Sequence, residues 1–135
     1  MKKTLTRPYT PCPCESGATY VQCCGPWHQG LAQGVFAPSA EALMRSRYCA
    51  YVLGLVDYLL ATWHPGTRPL SVDFDPAQRW LGLQVLQHRR QGDDHATVAF
   101  IARSKVGGRA QQLEETSRFV REGGRWTYID GDLHA

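Results

Sequence analysis

No stretch of this chain approaches the roughly eighteen apolar residues that a membrane-spanning helix requires, so no membrane association is expected. The basic residues of the N-terminal "MKKTLTRPYT" have no apolar run behind them. A signal peptide is therefore not expected, and the expected location is cytoplasmic. Charge of one sign is also scarce: fifteen Lys and Arg are scattered among twelve Asp and Glu, a formal charge of +3 without a dense patch. That disfavours nucleic acid as a partner. The remaining candidate for such binding is the basic arm Lys2, Lys3 and Arg7, which would show itself as a steep salt dependence. Internal repeats and low-complexity tracts are missing, and 135 residues with 43% hydrophobic and 20% charged side chains leave room for one modest core plus a small appendage.

Cysteine is sparse except in one place. Of five cysteines, Cys12, Cys14, Cys23 and Cys24 fall within thirteen residues, in "PCPCESGATYVQCCG". In a reducing compartment such a cluster is expected to hold a metal, since adjacent cysteines such as Cys23 and Cys24 bridge each other only with strain. Zinc needs four soft or borderline donors in a tetrahedron, and two donor pairs joined by a short turn can supply them. Ser16 and Gly17 suit that turn, and Gly25-Pro26 ends the following one. Spacing alone leaves the fourth ligand open between Cys24 and His28. Cys49, alone in a helical stretch, reads as an ordinary semi-buried residue.

At these positions the chain resembles the SEC-C motif, the zinc-binding tail of the translocase motor ATPase of bacterial secretion. That pattern is C-x-C-x-S-G-x-x-x-x-x-C followed by Cys or His, matched here by Cys12, Cys14, Ser16, Gly17, Cys23 and Cys24. The resemblance implies that these four cysteines bind Zn(II), with Cys24 as the fourth ligand. Glu15 stands where the family commonly has Gly. Four thiolates close the coordination sphere, so the implied metal is structural. It would substitute for the core that residues 1–30 are too few to build.

The body, residues 31–135, opens with Ser39 as helix N-cap and Glu41 in the first turn. Ala40, Leu43, Met44, Tyr48, Tyr51, Val52, Leu55 and Leu59 recur at spacings of three and four, predicting an amphipathic helix interrupted near Gly54 and resumed until before Pro65. Asp75 and Pro76 predict a short helical turn. From Trp80 the period becomes two, and "QGDD", Gly107-Gly108 and Gly123-Gly124 punctuate four strands of an antiparallel meander. Helices followed by a hairpin-linked sheet imply an α+β domain.

This order resembles the cone-shaped nuclear transport factor 2-like fold, the SnoaL-like class. Together with the cysteine knuckle, "APSAEALMRSRYCAYV", "YLLATWHP" and "EETSRFVREGGRWTYIDGDL" resemble the YchJ family of bacterial proteins, for which no biochemical activity is established. Domains resembling this class often dimerise through the open sheet face, which makes a homodimer an expectation.

Two functional readings follow. In the first, the chain is a non-catalytic cytoplasmic protein whose zinc knuckle binds a protein partner; likeness to the translocase tail implies a chaperone or ribosomal component. In the second, the cone is a small-molecule-binding or enzymatic pocket using Arg47, His64 and Glu115, with the imidazole beside a carboxylate as a general base. Arg47 falls inside the apolar stripe of its helix and needs a partner, and Glu115 shares a strand face with Leu113, Ser117 and Phe119, making it the expected acceptor. Trp63 and His64, with Tyr48, Tyr51, Tyr58 and Trp126, are placed at the mouth of that cavity. An ion pair fixing helix to sheet would explain Arg47 and Glu115 equally well. A helix-end role would explain His64.

Overall fold

The structure, a computed structural model, describes residues 9–134. Lys2, Lys3 and Arg7 lie outside the described residues. Three helices precede a four-stranded sheet: α1 (Gly25–Gly30), α2 (Ala40–Leu53), α3 (Val56–Ala61), then β1 (Gln78–Arg90), β2 (His95–Val106), β3 (Arg109–Glu122) and β4 (Arg125–His134). All neighbouring strands are antiparallel and in chain order. No described helix is long and apolar enough to cross a membrane.

Ser39 caps α2 as the sequence predicts, its Oγ accepting from the Ala42 amide at 3.1 Å. The helix stops at Gly54, whose φ of 72° is open to glycine at no steric cost and directs its N–H to the Ala50 carbonyl. Asp75 and Pro76 do not start a helix. Asp75 Oδ1 accepts from the Ala77 amide, the Gln78 N–H reaches the Asp75 carbonyl, and β1 begins at once. A single Asx-type turn uses the same residue preferences as a helix N-terminus, which is why the two look alike in sequence.

The sheet is curved by register shifts at Trp80/Gly82 and Val85/Gln87 in β1 and at Arg118/Phe119 across the β3–β4 pair. The first shift breaks the simple alternation expected for β1. Trp80, Leu83 and Val85 pack on the core, whereas Leu81 is half exposed on the far face. Across the concave side lies α2, touching β1, β2 and β4. Phe119, Val98, Leu83, Ala102, Leu43 and Met44 make up the centre of the core.

The apolar stripe of α2 proves to be only half of its buried surface. Ser46, Cys49 and Ala50 are also shielded from solvent, because the N-terminal segment packs on the helix face turned away from the sheet. Cys12, Cys14, Tyr20 and Cys24 belong to the same core cluster as Leu43, Met44 and Cys49. Small side chains on that face allow the close approach.

After α3 the chain joins the sheet edge: the His64 N–H donates to the Tyr128 carbonyl at 2.7 Å and the Tyr128 N–H to the Thr62 carbonyl at 2.9 Å, in a parallel bridge between Trp63 and Tyr128. Because alternate residues of an extended segment point to opposite sides, Trp63 faces the core and His64 faces away.

Candidate functional site

The cysteine segment is a small hairpin followed by two short turns. Pro11 bridges Thr19, the Cys12 N–H donates to the Ala18 carbonyl, and the Tyr20 N–H donates to the Thr10 carbonyl. This places Cys12 and Cys14 on one arm. A single 3-10 turn, Tyr20–Gln22, then delivers Cys23 and Cys24 from the other side, with Cys24 accepting the first amide bonds of α1. The four sulfurs all lie within 4.8 Å of one another, with Cys14 to Cys23 at 3.6 Å and Cys23 to Cys24 at 3.9 Å. Four ligands about 2.3 Å from a tetrahedral ion stand about 3.8 Å apart, so the donor set fits one metal ion without rearrangement. All are free thiols. Burial is the first cause pushing the Cys23 thiol up to about 11, and hydrogen bonding with Cys12 and Cys14 raises Cys24. Hydrogen bonding with Cys14 and Cys24 instead pulls the Cys12 thiol down, so it is at Cys23 and Cys24 that a bound metal would have protons to displace.

The groups around the sulfurs hold them in place. Ser16 Oγ lies 3.1 Å from Cys23 Sγ and accepts from the Ala18 amide. Arg45 donates to the Cys14 carbonyl at 3.0 Å and to Glu41 at 3.1 Å, bringing one positive charge beside a site whose four thiolates and divalent ion would carry a net negative charge. His28 is not among the donors. Its Nε2–H donates to the Ser46 carbonyl at 2.8 Å, and its Nδ1 accepts from the Tyr20 hydroxyl at 2.7 Å. Burial holds this imidazole below its ordinary value, in keeping with the neutral tautomer that these partners require. His28 instead fastens the knuckle to α2, with its ring edge-on to Tyr58 at 4.7 Å. Replacing His28 with Phe preserves the ring and removes both hydrogen bonds; chemical denaturation is expected to show a loss of about 2 kcal/mol, and metal content is expected to stay unchanged.

A second feature lies on the other side of α2. Between this helix and the sheet is a cavity of about 280 Å³ lined by Arg47, Tyr48, Tyr51, Trp63 and Glu115, all expected from the sequence, and by Trp80, Phe100, Phe119 and Tyr128 among others. Arg47 is 5% exposed. It does not pair with Glu115. Its Nη1 donates to the Leu59 carbonyl at 2.8 Å and to Thr62 Oγ1 at 2.7 Å, while the guanidinium lies over the Trp63 and Tyr128 rings at 4.9 and 4.6 Å. The Leu59 carbonyl near the end of α3, which also accepts from the Thr62 hydroxyl at 3.3 Å, is closer to the guanidinium than any carboxylate, so the helix end supplies the acceptor. Glu115 accepts from the Ser117 hydroxyl at 2.6 Å and the Tyr128 hydroxyl at 3.3 Å.

Three residues assigned to the cavity mouth lie elsewhere. His64 pairs with Glu122 at 3.1 Å on the outer side and accepts the Gly66 amide, as its place beside Trp63 dictates. Trp126 shares the concave face with Tyr128 but lies away from the cavity, with the Arg90 and Arg121 guanidinium groups 5.4 and 5.3 Å from its ring and Leu31 and Phe36 nearby. Tyr58 is turned to the knuckle side, 2.7 Å from Ser46 Oγ.

With this geometry in hand, comparison with known proteins decides the family. The model of the YchJ middle NTF2-like domain matches residues 39–131, and that of the SEC-C motif matches residues 10–26. The chain belongs to the YchJ family. A UPF0225 protein of Cupriavidus pinatubonensis is 55% identical over 130 residues, covering 92% of this chain and 89% of that one. Another from Bordetella pertussis is 52% identical over 134 residues, covering 98% and 99%. A solution structure of a SEC-C motif-containing protein from Rhodopseudomonas palustris superposes with a TM-score of 0.78 at 41% identity, covering 92% of this chain and 98% of that chain. A crystal structure of a sec-c motif-containing protein from Psychrobacter arcticus does so at 0.76 and 31%, covering 92% and 82%. The YchJ chain thus has the NTF2-like α+β fold, with a SEC-C cysteine cluster able to hold a metal ion.

Two details of this YchJ-family site were not readable beforehand. Glu15 has φ 60°, the one positive value on a non-glycine residue among those described, which explains why glycine suits this position of the motif. Its carboxylate lies against Gly82 of β1, where a Cβ would stand 2.5 Å from Glu15 Oε2. Cys49, expected to be an ordinary helical residue, is fully buried with its sulfur 4.0 Å from Cys12 Sγ. Its spacing in α2 from Ser46 and Ala50 was the available sign that a second helix face is covered.

Proposed function

We propose that the chain is a non-catalytic protein in which Zn(II), held by Cys12, Cys14, Cys23 and Cys24, rigidifies the knuckle of residues 1–30 as a docking element for a protein partner. The observation that carries this reading is the convergence of four cysteine sulfurs within 4.8 Å in a shape that a tetrahedral ion fills. Zinc is the ion favoured by an all-thiolate set among common divalent metals without redox chemistry. Bound there, it supplies charge neutralisation and a rigid crosslink, and four protein ligands keep no position for substrate.

The exposed end of the knuckle supports docking. Glu15, Ser16 and Gly17 are exposed while Cys12, Cys14 and Cys24 behind them are buried, so the metal would fix the shape of an accessible tip. The likeness to the translocase SEC-C tail suggests a chaperone or ribosome-associated protein as partner, in a reducing cytoplasm. Cys23 is the most exposed of the four cysteines and its replacement disturbs the core least. Cys23→Ser is expected to lower bound zinc to below about a tenth of an equivalent and to abolish capture of the chaperone or ribosomal protein retained by wild type. Undiminished capture by a metal-free Cys23→Ser chain would contradict the docking role.

A further inference from the structure

Arg47 presents an unusual charge balance. The side chain is 95% removed from solvent on the 5% exposure already noted, yet no carboxylate lies within ion-pair distance of it among the described residues. Only Nη1 is used for hydrogen bonding, donating to the Leu59 carbonyl and to Thr62 Oγ1. The Nε and Nη2 groups, three N–H bonds in all, have no hydrogen-bond acceptor among the described residues, and the residue lines the cavity. Burial lowers its affinity for the proton to about 10, which leaves it a cation at neutral pH. A buried cation that donates only two of five N–H bonds is costly unless an anion reaches it.

The other walls narrow the chemistry of that anion. Tyr48, Tyr51, Trp63, Trp80, Phe100 and Tyr128 give the cavity flat aromatic surfaces, suited to a planar body. Glu115 is an acceptor oriented by Ser117 and Tyr128, and it faces the same space without touching Arg47. A ligand therefore meets a donor at one place and an acceptor at another. At protein packing density, about 20 Å³ per non-hydrogen atom, 280 Å³ holds about fourteen such atoms, enough for a single substituted ring. An aromatic box with a carboxylate would ordinarily suit an organic cation, but the guanidinium, already occupying the Trp63 and Tyr128 rings without a carboxylate partner, repels one. Access is available at the wide end of the cone, where Trp80 and Leu113 also border a shallower depression with Gln112 and Leu133.

We infer that the cavity is a binding site for a small planar carboxylate, whose anionic group pairs with Arg47 Nε and Nη2, whose ring lies among Trp63, Trp80 and Tyr51, and whose far end donates a hydrogen bond to Glu115. This goes beyond the metal-centred reading and stands without it, because no cavity-lining residue is a candidate metal ligand.

The test uses the full chain and para-hydroxybenzoate as probe, with benzoate, para-hydroxybenzamide and tyramine as comparisons. Binding is read by quenching of tryptophan fluorescence and by amide chemical shifts in the nuclear magnetic resonance spectrum. Saturable one-to-one binding of para-hydroxybenzoate is expected, at least about tenfold tighter than that of the neutral amide, with shifts at Trp63, Trp80 and Tyr128. Arg47→Met is expected to abolish this preference for the anion. Glu115→Gln, which keeps the side-chain shape should the Arg47 variant fold poorly, is expected to reduce the advantage of para-hydroxybenzoate over benzoate about fivefold or more. Equal binding of acid and amide, preference for the cation tyramine, or no saturation by about 10 mM would each overturn the inference.

Discussion

Cys14→Ser is expected to leave the chain without metal and to lower its unfolding free energy by about 4 kcal/mol or more. Cys14 is fully buried and its carbonyl is the acceptor for Arg45, so serine there leaves a hydroxyl among sulfurs with no fourth thiolate to complete the tetrahedron. The loss spreads beyond the hairpin. Cys12, Cys14, Tyr20 and Cys24 share a cluster with Cys49 of α2, and His28 is tied to the same helix through the Ser46 carbonyl. Releasing the knuckle exposes this cluster to water, so the second half of the effect is lost packing. Urea denaturation with and without a strong chelator measures it: wild type with chelator should approach Cys14→Ser, and the variant should be insensitive to chelator. A variant as stable as wild type would show that the sulfurs contribute only as small apolar groups.

Arg47→Ala is expected to destabilise the chain by about 3 kcal/mol, and Arg47→Met by only about 1 kcal/mol. Two opposing effects decide this. Removing the guanidinium ends the desolvation of a buried cation, which is favourable. It also takes the Arg47 donor from the Leu59 carbonyl and Thr62 Oγ1 and strips the cation from the Trp63 and Tyr128 rings, which pack edge to face at 5.1 Å beside it. Methionine refills the space over those rings and offsets most of the loss; alanine opens a void at the joint of α2, α3 and β4. Thermal or urea unfolding of the two variants separates charge from packing. Equal destabilisation would mean that the hydrogen bonds at the end of α3 dominate and the ring contacts matter little.

Much of this arrangement is legible in the chain itself, for identifiable reasons. The Ser39 cap, the Gly54 stop, the doubled glycines between strands and the period-two face of Leu113, Glu115, Ser117 and Phe119 are local signals, and the structure uses them locally. The cysteine spacing likewise brings Cys12, Cys14 and Cys23 into one cluster, whereas the choice of Cys24 over His28 comes from the resemblance to the SEC-C motif and agrees with the sulfur cluster of the structure. What depends on tertiary approach was less visible. Arg47 demanded a partner, but only the folded chain shows that the open carbonyl end of α3 is nearer than Glu115. Register shifts in β1 move Leu81 to the far face, and the turn from α3 into the sheet edge sends His64 outward beside the inward Trp63. The burial of Cys49 depends on a segment distant in sequence folding over α2, for which helical periodicity gives no rule.

The central claim concerns the ion held by the sulfurs. X-ray absorption spectroscopy on the protein as purified, combined with elemental analysis, tests it most directly. The account predicts about one zinc per chain, surrounded by four sulfur atoms at about 2.3 Å. Metal-free protein that retains the native fold, or an ion bound through nitrogen or oxygen in place of one of these thiolates, would contradict it.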